Sequence, residues 1–546
     1  MVKVMDYEKE FSKWKWDIPE YYNIGQDVVD KHAKDPHKKN KVALYWENEE
    51  GKREKYTFWE YSHLSNKFGN VLKELGVLKG DRYLMVLPNI PQFQQIFLGG
   101  VKIGAVPIPA SIMFKAKELE YRINDSGSKL VVVHTKYADE VRKIAEKCPT
   151  LKNIIIVGEG GTSAGELHFD DLMKGASTKL EVEKTRSDDM AFFCYTSGTT
   201  GMPKGAVHLH RWVPANDPSA LYWAAYKEDD IFAHTGALNW IYPLGNGFLY
   251  AWRWGVSVLL YDGRFVPERW FELLERYQVT NLASVPTAYR MFLAVDGAEE
   301  RYDLVLRHCI SAGEPLNPEV VKEWKKRFGV DILDGIGMTE IMVYLSNMEG
   351  MPIKPGSCGR PQPGHVCAIV DDEGNPLGPY KEGTLAVRAD DPGLFKEYWN
   401  KPEKTAECFK KGWFLTGDTL YTDEDGYYWF SGRGDDLIMT AGYRVSPFEV
   451  ESVVNEHPAV LESAAVASPD PVRGVIVKSF IILNEGYEPS DELAREIQQF
   501  VKERTAPYKY PREIEFVKEL PKTQSGKIKR KVLRELEKER KLGKKG

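Results

Sequence analysis

The chain has 546 residues, of which 42% are hydrophobic and 28% are charged, and its formal net charge is −6. One hydrophobic core cannot organise a chain of this length, so at least two domains are expected. The small negative charge excludes the basic surface that nucleic-acid binding requires. No apolar run approaches the ~20 residues that cross a bilayer, so no membrane span is expected.

The cysteines and the first residues indicate the compartment. The six cysteines form no C-x-x-C pair, which favours reduced thiols over a disulfide framework or a zinc site. Residues 1–17 mix lysines, acids and tryptophans and lack the apolar stretch of a signal peptide. We therefore expect a cytoplasmic protein.

Alternating strand and helix patterns from about residue 70 to 330 predict an α/β fold. A helix ending at Gly76 is followed by a buried strand, a second helix and a further strand, and the alternation then continues. This order is typical of mostly parallel sheets with covering helices. The predicted strands are residues 83–87, 105–108, 129–134 and 153–157, and the second helix covers residues 88–103.

Residues 195–205 read Tyr-Thr-Ser-Gly-Thr-Thr-Gly-Met-Pro-Lys-Gly and follow an apolar run, 190–195, that predicts a buried strand. Glycines bring backbone N–H groups close to an anion, and the hydroxyls and lysine add donors and charge. Ligands gather at strand ends in open α/β sheets, so the loop predicts a site for nucleotide phosphates, although it lacks the Walker spacing. A flexible linker is the alternative, but linkers seldom follow a buried strand. The candidate ligands are Thr196, Ser197, Gly198, Thr199, Thr200, Gly201 and Lys204.

The later part of the chain predicts further strands and then a second domain. Strands are expected at 366–370, 383–387 and 427–431, with acidic turns before the last two. These turns lack the spacing of a calcium-binding loop, so hairpin turns are the better interpretation. Gly432 and Gly434 indicate a short, mobile junction. We therefore divide the chain into a large domain, residues 1–433, and a small mobile α/β domain, residues 434–546.

Several motifs resemble the adenylate-forming superfamily of acyl-CoA synthetases, luciferases and peptide-synthetase adenylation domains. Besides the loop at 195–205, they are Ser-Pro-Asp-Pro-Val-Arg-Gly at 468–474, Thr-Ala-Pro-Tyr-Lys-Tyr-Pro-Arg at 505–512 and Leu-Pro-Lys-Thr-Gln-Ser-Gly-Lys-Ile at 520–528. The resemblance covers nearly the whole chain and is closest to medium-chain acyl-CoA synthetases. It implies an AMP-forming acid–thiol ligase that uses ATP, Mg²⁺ and coenzyme A in fatty acid metabolism.

The resemblance also assigns nucleotide-binding roles. In Asp-Gly-Ile-Gly-Met-Thr-Glu at 334–340, it implies that Thr339 contacts the α-phosphate or the acyl carboxylate and that Glu340 binds Mg²⁺. The family commonly has an aromatic residue where Ile336 stands, and isoleucine covers the adenine without stacking on it as well. Asp418 and Arg433 match ribose and phosphate ligands. The other implied ATP ligands are Gly313, Glu314, Pro315, Asp334, Gly335, Gly337 and Met338.

For the segment 313–315 a purely structural interpretation is open as well, namely a strand-to-helix turn with Pro315 at the start of a helix. The nucleotide role is favoured because the motif stands at the expected place in the order of motifs.

The resemblance assigns a catalytic lysine, the hinge and the CoA ligands to the small domain. Lys527 is implied to hold the substrate carboxylate and the α-phosphate together during adenylation, and Asp435 matches the hinge about which the domain turns. One rigid site cannot both exclude water and admit a large thiol, which favours two arrangements of the domain. The implied CoA ligands are Ala441, Gly442, Tyr443, Arg444, Arg473 and Lys502.

The sequence gives less information about the acid-binding residues than about the nucleotide and CoA ligands. Trp240 matches a pocket tryptophan of medium-chain relatives, and acetyl-specific relatives carry a tryptophan where Gly337 stands. The glycine argues for an acid larger than acetate, and residues 242–247 resemble benzoate-type ligases, so medium-chain, branched and aromatic acids are candidates. Met113 is a further pocket candidate, although each of these residues could equally belong to the core. His234 is interpreted as structural.

The sequence thus predicts conversion of a carboxylic acid, ATP and CoA to acyl-CoA, AMP and pyrophosphate through an acyl-adenylate. The main alternative is an acyl-adenylate enzyme that loads a carrier protein. A luciferase-like oxygenase and a non-catalytic nucleotide- or acyl-binding regulator are further alternatives. Only small-molecule partners are expected, and the chain is expected to be a monomer or a homodimer.

Overall fold

The computed structural model describes residues 4–196, 202–433, 436, 438–440, 443–470, 474–505, 509–522 and 528–542 of the chain. Its strands are β1 (Val42–Asn48), β2 (Arg53–Thr57), β3 (Arg82–Val86), β4 (Val106–Ala110), β5 (Leu130–His134), β6 (Asn153–Val157), β7 (Leu167–His168), β8 (Met190–Thr196), β9 (Lys204–Leu209), β10 (Ile231–His234), β11 (Ser257–Asp262), β12 (Asn281–Ser284), β13 (His308–Ala312), β14 (Ile332–Met338), β15 (Met342–Ser346), β16 (Ser357–Pro361), β17 (Cys367–Val370), β18 (Gly383–Arg388), β19 (Phe409–Lys410), β20 (Trp413–Thr422), β21 (Tyr428–Arg433), β22 (Ile438–Thr440), β23 (Tyr443–Val445), β24 (Val460–Asp470), β25 (Gly474–Leu483) and β26 (Glu513–Phe516).

The α-helices cover the sheets and connect their parallel strands. They are α1 (Tyr7–Lys13), α2 (Lys31–Lys34), α3 (Phe58–Glu74), α4 (Gln92–Lys102), α5 (Ala116–Ser126), α6 (Ala138–Arg142), α7 (Phe169–Gly175), α8 (Ile241–Leu244), α9 (Ala251–Arg253), α10 (Pro267–Arg276), α11 (Pro286–Leu293), α12 (Ala298–Arg301), α13 (Pro318–Phe328), α14 (Pro402–Ala406), α15 (Pro447–Val454), α16 (Asp491–Arg504) and α17 (Arg530–Leu542). Within the described ranges, no helix has the length and hydropathy needed to cross a bilayer.

Two sheets with parallel strands form the frame of the large domain. One has the order β4-β3-β5-β6-β7 and is parallel throughout. The other has the order β17-β18-β20-β21-β16-β15-β14-β13-β12-β10-β11-β1-β2, with β19 on β20. The six consecutive strands β14-β13-β12-β10-β11-β1 are parallel. Strand β2 is antiparallel to β1, and the strands on the other side of β14 are antiparallel as well. The predicted α/β class is therefore confirmed.

The sequence patterns located these elements because buried parallel strands read as short apolar runs. The strands predicted at 83–87, 105–108, 129–134 and 153–157 are β3 to β6, and the helix predicted at 88–103 is α4. Helix α3 begins at a capping box, in which Thr57 and Glu60 each accept a hydrogen bond from the other's backbone N–H. It ends just before Gly76, which has φ +74°.

Beyond Arg433 the described strands belong to separate sheets. Strands β22 and β23 form a hairpin, and β24, β25 and β26 form a sheet covered by α15, α16 and α17. Lys478 is almost fully buried and lies within 3.0 Å of carboxylate oxygens from Glu513, Glu515 and Glu537. The exact boundary at residues 433 and 434 stays a prediction, because residues 434 and 435 lie outside the described part of the chain.

All six cysteines are free thiols, as expected from their spacing. Cys148, Cys194, Cys309 and Cys358 are buried. Burial raises the pKa of the Cys148 thiol to about 11, which makes the reactive thiolate scarce at neutral pH. These four cysteines therefore belong to the packing of the chain.

Candidate active site

A cleft of about 580 Å³ lies between the large sheet and the small domain. One wall comes from β14 and the segment after β13, and the opposite wall comes from α15 and the start of α17. The cleft lies at the carboxyl ends of parallel strands, where ligands gather in open α/β sheets. Eight of the predicted ATP ligands line it, namely Gly313, Glu314, Pro315, Asp334, Gly335, Ile336, Gly337 and Asp418.

The segment 313–315 turns directly into this cleft. Gly313 has φ +97°, a left-handed conformation that favours glycine, and a side chain there would meet only Val285 Cγ1 at 3.9 Å. Helix α13 begins at Pro318, three residues after Pro315, and its N-cap is the Asn317 side chain. The segment therefore is a strand-to-helix turn, as the structural interpretation has it, but Pro315 does not start the helix. The nucleotide role of residues 313–315 stays a prediction.

Two carboxylates bring hydrogen-bond acceptors to the cleft. Glu314 Oε2 accepts from Thr287 Oγ1 at 2.8 Å and from the Thr287 backbone N at 3.3 Å. Glu314 Oε1 and Asp334 Oδ1 are buried and have no hydrogen-bond partner among the described residues. Burial raises the pKa of Asp334 well above its ordinary value. Buried polar atoms are normally paired, so these two oxygens fit the amino and hydroxyl donors of a bound nucleoside.

Asp418 and Arg433 lie opposite each other on adjacent antiparallel strands, β20 and β21. The Asp418 backbone N–H donates to Thr416 Oγ1 at 3.1 Å, and the Asp418 side chain is almost fully buried where it borders the cleft. The side chain of Arg433 lies outside the described part of the structure. The fold thus pairs two residues that are fifteen positions apart and that the resemblance matches to ribose and phosphate ligands.

Thr339 and Glu340 occupy the turn that connects β14 and β15. Glu340 is 5% exposed, and its Oε1 accepts a hydrogen bond from the Tyr398 hydroxyl at 2.5 Å. The Lys204 ammonium lies 3.9 Å from the centre of the Tyr398 ring, a cation–π contact. Burial and the nearby Glu340 carboxylate raise the pKa of Tyr398, so its phenol stays a hydrogen-bond donor. Tyr398 thus contacts two of the predicted site residues, and sequence reasoning missed it because no motif carries it.

The predicted phosphate loop connects two antiparallel strands. Thr196, at the end of β8, pairs with Lys204, at the start of β9, and these strands form a sheet of their own. The strand predicted at 190–195 is β8, but it does not belong to an open α/β sheet, because an apolar run does not reveal the partner strand. Ser197, Gly198, Thr199, Thr200 and Gly201 lie outside the described residues.

Gly337 lies at a bulge where β14 and β15 approach closely. A Cβ atom on Gly337 would lie 2.1 Å from the Met342 backbone oxygen and 2.8 Å from Val343 Cα. Met342 itself has a φ of +77°, which is unusual for a residue with a side chain. Close backbone packing thus explains the glycine without reference to the size of the acid. Its role beside the acyl group stays a prediction, as does that of Met338, which pairs with Met342.

The small domain presents residues that follow the predicted catalytic lysine, Lys527, to the cleft. Lys522 and Ile528 form an isolated antiparallel bridge, and Ile528 and Arg530 line the cleft. Arg530 donates to both oxygens of Glu451, at 3.0 and 2.5 Å, and lines the cleft beside it. Lys527 itself, and the hinge candidate Asp435, lie outside the described residues.

The candidate CoA residues do not line the cleft where they are described. Tyr443 and Arg444 belong to β23, although their side chains are not described, and Lys502 is an exposed residue near the end of α16. Strand β22 packs on the small domain's own sheet, where Thr440 Oγ1 donates to the Val475 carbonyl at 2.6 Å. Ala441, Gly442 and Arg473 lie outside the described residues.

Of the candidate acyl residues, Gly337 lines the cleft, whereas Met113 and Trp240 do not. Met113 is 47% exposed in a turn after β4, and half-buried Trp240 immediately precedes α8. Near Trp240, the rings of His234 and Tyr242 contact each other with centroids 4.3 Å apart. His234 Nε2 and the Tyr242 hydroxyl are buried without a hydrogen-bond partner among the described residues. Burial lowers the pKa of His234 to about 3, so this ring is neutral at physiological pH.

Comparison with protein families identifies the larger part of the chain. Residues 30–399 match the model of the AMP-binding enzyme family. The chain belongs to this family. A second match, to the C-terminal domain of AMP-binding enzymes, covers residues 449–527. The predicted relationship to the adenylate-forming superfamily is therefore confirmed.

This AMP-binding enzyme is similar to acyl-CoA synthetases over nearly its whole length. It is 43% identical to acetyl-coenzyme A synthetase of Bacillus subtilis, over 94% of this chain and 90% of that protein. It is 39% identical to mitochondrial acyl-coenzyme A synthetase ACSM3 of Rattus norvegicus, over 97% and 93%. A crystal structure of the anthranilate CoA ligase AuaEII with anthranoyl-AMP shares 34% identity and a TM-score of 0.90, covering 96% of this chain and 99% of that one. The AMP-binding enzyme is an AMP-forming acyl-CoA ligase.

Proposed function

We propose that this ligase joins a carboxylic acid larger than acetate to CoA, through an acyl-adenylate made from ATP and the acid. The proposed acids are medium-chain, branched or aromatic. The observation that carries the nucleotide part is the convergence of three separate motifs, around Gly313, Asp334 and Asp418, on one cleft. The aromatic option is supported by the similarity to an anthranilate CoA ligase and by the aromatic pair near Trp240.

In the first half-reaction, a carboxylate oxygen of the acid attacks the α-phosphorus of ATP and pyrophosphate leaves. Glu314 and Asp334 would accept hydrogen bonds from the base, and Asp418 would accept them from the ribose hydroxyls. Lys527 would neutralise the charge that builds up between the two anions. Lys204 and the loop at 197–201 would bind the β- and γ-phosphates.

Glu340 is the residue that would hold Mg²⁺. Its carboxylate is a hard oxygen donor, and Mg²⁺ sites commonly combine one carboxylate with substrate phosphate oxygens. The Tyr398 hydroxyl donates a hydrogen bond to Glu340 Oε1 at 2.5 Å and thereby orients the carboxylate. When bound, the metal would offset phosphate charge.

In the second half-reaction, the CoA thiol attacks the acyl carbonyl and AMP leaves. We propose that the small domain, beyond the boundary at residues 433 and 434, turns about Asp435 between the two steps. The described arrangement suits the first step, because Ile528 and Arg530 face the cleft while β22 packs on its own sheet. After the turn, Gly442, Arg444, Arg473 and Lys502 would contact CoA.

A cytoplasmic location, a role in fatty acid metabolism and a monomeric or homodimeric state complete the proposal. The free thiols of all six cysteines support a reducing compartment. Loading of a carrier protein is not favoured, because the similarity to CoA ligases extends over nearly the whole chain.

The deciding experiment measures pyrophosphate release for a panel of acids, each with and without CoA. The panel covers acetate to octanoate, branched acids, benzoate and cyclohexanecarboxylate. We expect one class of larger acids to support turnover, and acyl-CoA to form in equal amount. Turnover with acetate alone would overturn the proposed acid class. Acid-dependent pyrophosphate release without any acyl-CoA would overturn CoA as the acceptor.

A further inference from the structure

A chain of polar contacts connects the nucleotide cleft to the small domain. It begins at Glu314, whose Oε2 accepts from Thr287 Oγ1 at 2.8 Å. Arg290 Nη2 donates to the same Thr287 hydroxyl oxygen at 2.8 Å. Arg290 Nη2 also lies 3.6 Å from Glu462 Oε1, which belongs to β24 of the small domain. Glu314, Thr287, Arg290 and Glu462 all line the cleft.

The same carboxylate reaches the flank of the lysine segment. Glu462 Oε2 accepts from Lys522 Nζ at 2.6 Å, and Lys522 pairs with Ile528 across the segment that carries Lys527. The Glu462 side chain is 14% exposed, and those of Arg290 and Lys522 are each 33% exposed. Glu462 therefore lies between Arg290 of the large domain and Lys522 of the small domain, and its negative charge offsets the repulsion between these two cations.

We propose that Arg290, Glu462 and Lys522 form an electrostatic bridge that holds the small domain over the cleft during adenylation only. Arg290 and Glu462 are then positioning residues for the first half-reaction, an inference that rests on the proposed two-step function. Arg290 belongs to the large domain, whereas Glu462 and Lys522 belong to the small one. A rotation of the small domain separates the first pair and leaves the second intact.

The same contacts connect the bridge to the candidate nucleotide site. Arg290 donates to the Thr287 hydroxyl, and Thr287 donates to Glu314, one of the carboxylates that line the cleft. The bridge would therefore couple the position of the small domain to groups at this site.

The test separates the two half-reactions in purified full-length protein. Adenylation is measured as acid-dependent exchange of pyrophosphate into ATP, and thioester formation is measured with a supplied acyl-adenylate and CoA. Part-exposed ion pairs change an equilibrium by only about 1.5- to 5-fold. We therefore expect Glu462→Gln and Arg290→Gln each to lower adenylation about 3- to 5-fold, while thioester formation stays within about 1.5-fold of wild type.

The double variant identifies the contact. If Arg290 and Glu462 act through each other, either single substitution already breaks the pair. The adenylation rate of the double variant should then be no more than about twofold below that of the less active single variant. Independent effects would multiply to a loss of about tenfold or more, and that result would overturn the bridge. Equal loss of both half-reactions in the single variants would also overturn it, because a general structural defect gives that pattern.

A matched control uses another ion-paired glutamate of the small domain. Glu513 lies 2.7 Å from Lys541 and 3.0 Å from Lys478, within the small domain. Glu513→Gln is expected to leave the ratio of the two half-reactions unchanged. If the wild-type protein catalyses neither half-reaction, the proposed function fails. If it catalyses both and the ratio is the same in all variants, only the bridge fails.

Discussion

Replacement of Gly337 by alanine distinguishes a packing role from a pocket role. The new Cβ would lie 2.1 Å from the Met342 carbonyl oxygen and 2.5 Å from its carbonyl carbon. Favourable contacts between non-bonded heavy atoms need about 3.5 Å, so the two strands must separate by roughly 1 Å. Overpacking of this kind costs about 1–3 kcal/mol, and the upper end applies here because backbone atoms cannot rotate away.

The expected result for Gly337→Ala is a loss of about 3 kcal/mol in the free energy of unfolding. For a large domain this lowers Tm by about 3–6 °C. Thermal unfolding measures that change, and the activity profile across the acid panel is recorded beside it. Gly378→Ala is the control, because a Cβ there meets no atom within 4 Å. An unchanged Tm, together with a preference shifted towards shorter acids, would refute the packing argument and support the pocket role.

Three further predictions concern other described or assigned residues. Tyr398→Phe removes a hydrogen bond to a buried carboxylate, worth about 1.5–3 kcal/mol, so pyrophosphate release should fall at least tenfold and require more Mg²⁺; unchanged Mg²⁺ dependence would contradict the role of Glu340. Lys527→Ala should abolish adenylation and largely keep thioester formation from supplied adenylate, whereas equal loss of both steps would count against its assigned role. Burial lowers the pKa of His208, His210 and His234 to about 3, so below about pH 6.5 the unfolded chain binds more protons and stability falls. Urea unfolding at pH 7.5 and 5.5 should show that fall, about 1.4 kcal/mol in total between the two pH values for each histidine, and equal stability at the two pH values would contradict it.

The sequence was most informative where a short, distinctive segment could be assigned a role by itself. The segments around Gly313, Asp334 and Asp418 could be assigned because their residue types and order are distinctive, and the fold places all three on one cleft. The parallel strands were equally readable, since burial on both faces leaves uninterrupted apolar runs.

The sequence was least informative about contacts between distant segments. Tyr398 meets Glu340 across 58 positions, and Glu462 meets Arg290 across 172, so neither pair forms a motif. An apolar run cannot show which strand it pairs with, and for this reason the hairpin of β8 and β9 was missed. The close backbone approach at Gly337 likewise depends on the bulge between β14 and β15, which no local pattern records.

The two walls of the cleft come from different parts of the chain, so a ribosome synthesises them at different times. The wall that bears Gly313, Asp334 and Asp418 is complete once β21 has been made, whereas Ile528 and Arg530 follow nearly a hundred residues later. At about 5–20 residues per second, a ribosome needs roughly 5–20 s to make that stretch. A nascent chain therefore exposes an open half-cleft for several seconds before the residues that complete it emerge. During that interval the growing polypeptide still lacks Lys527, the residue that we propose to act in adenylate formation.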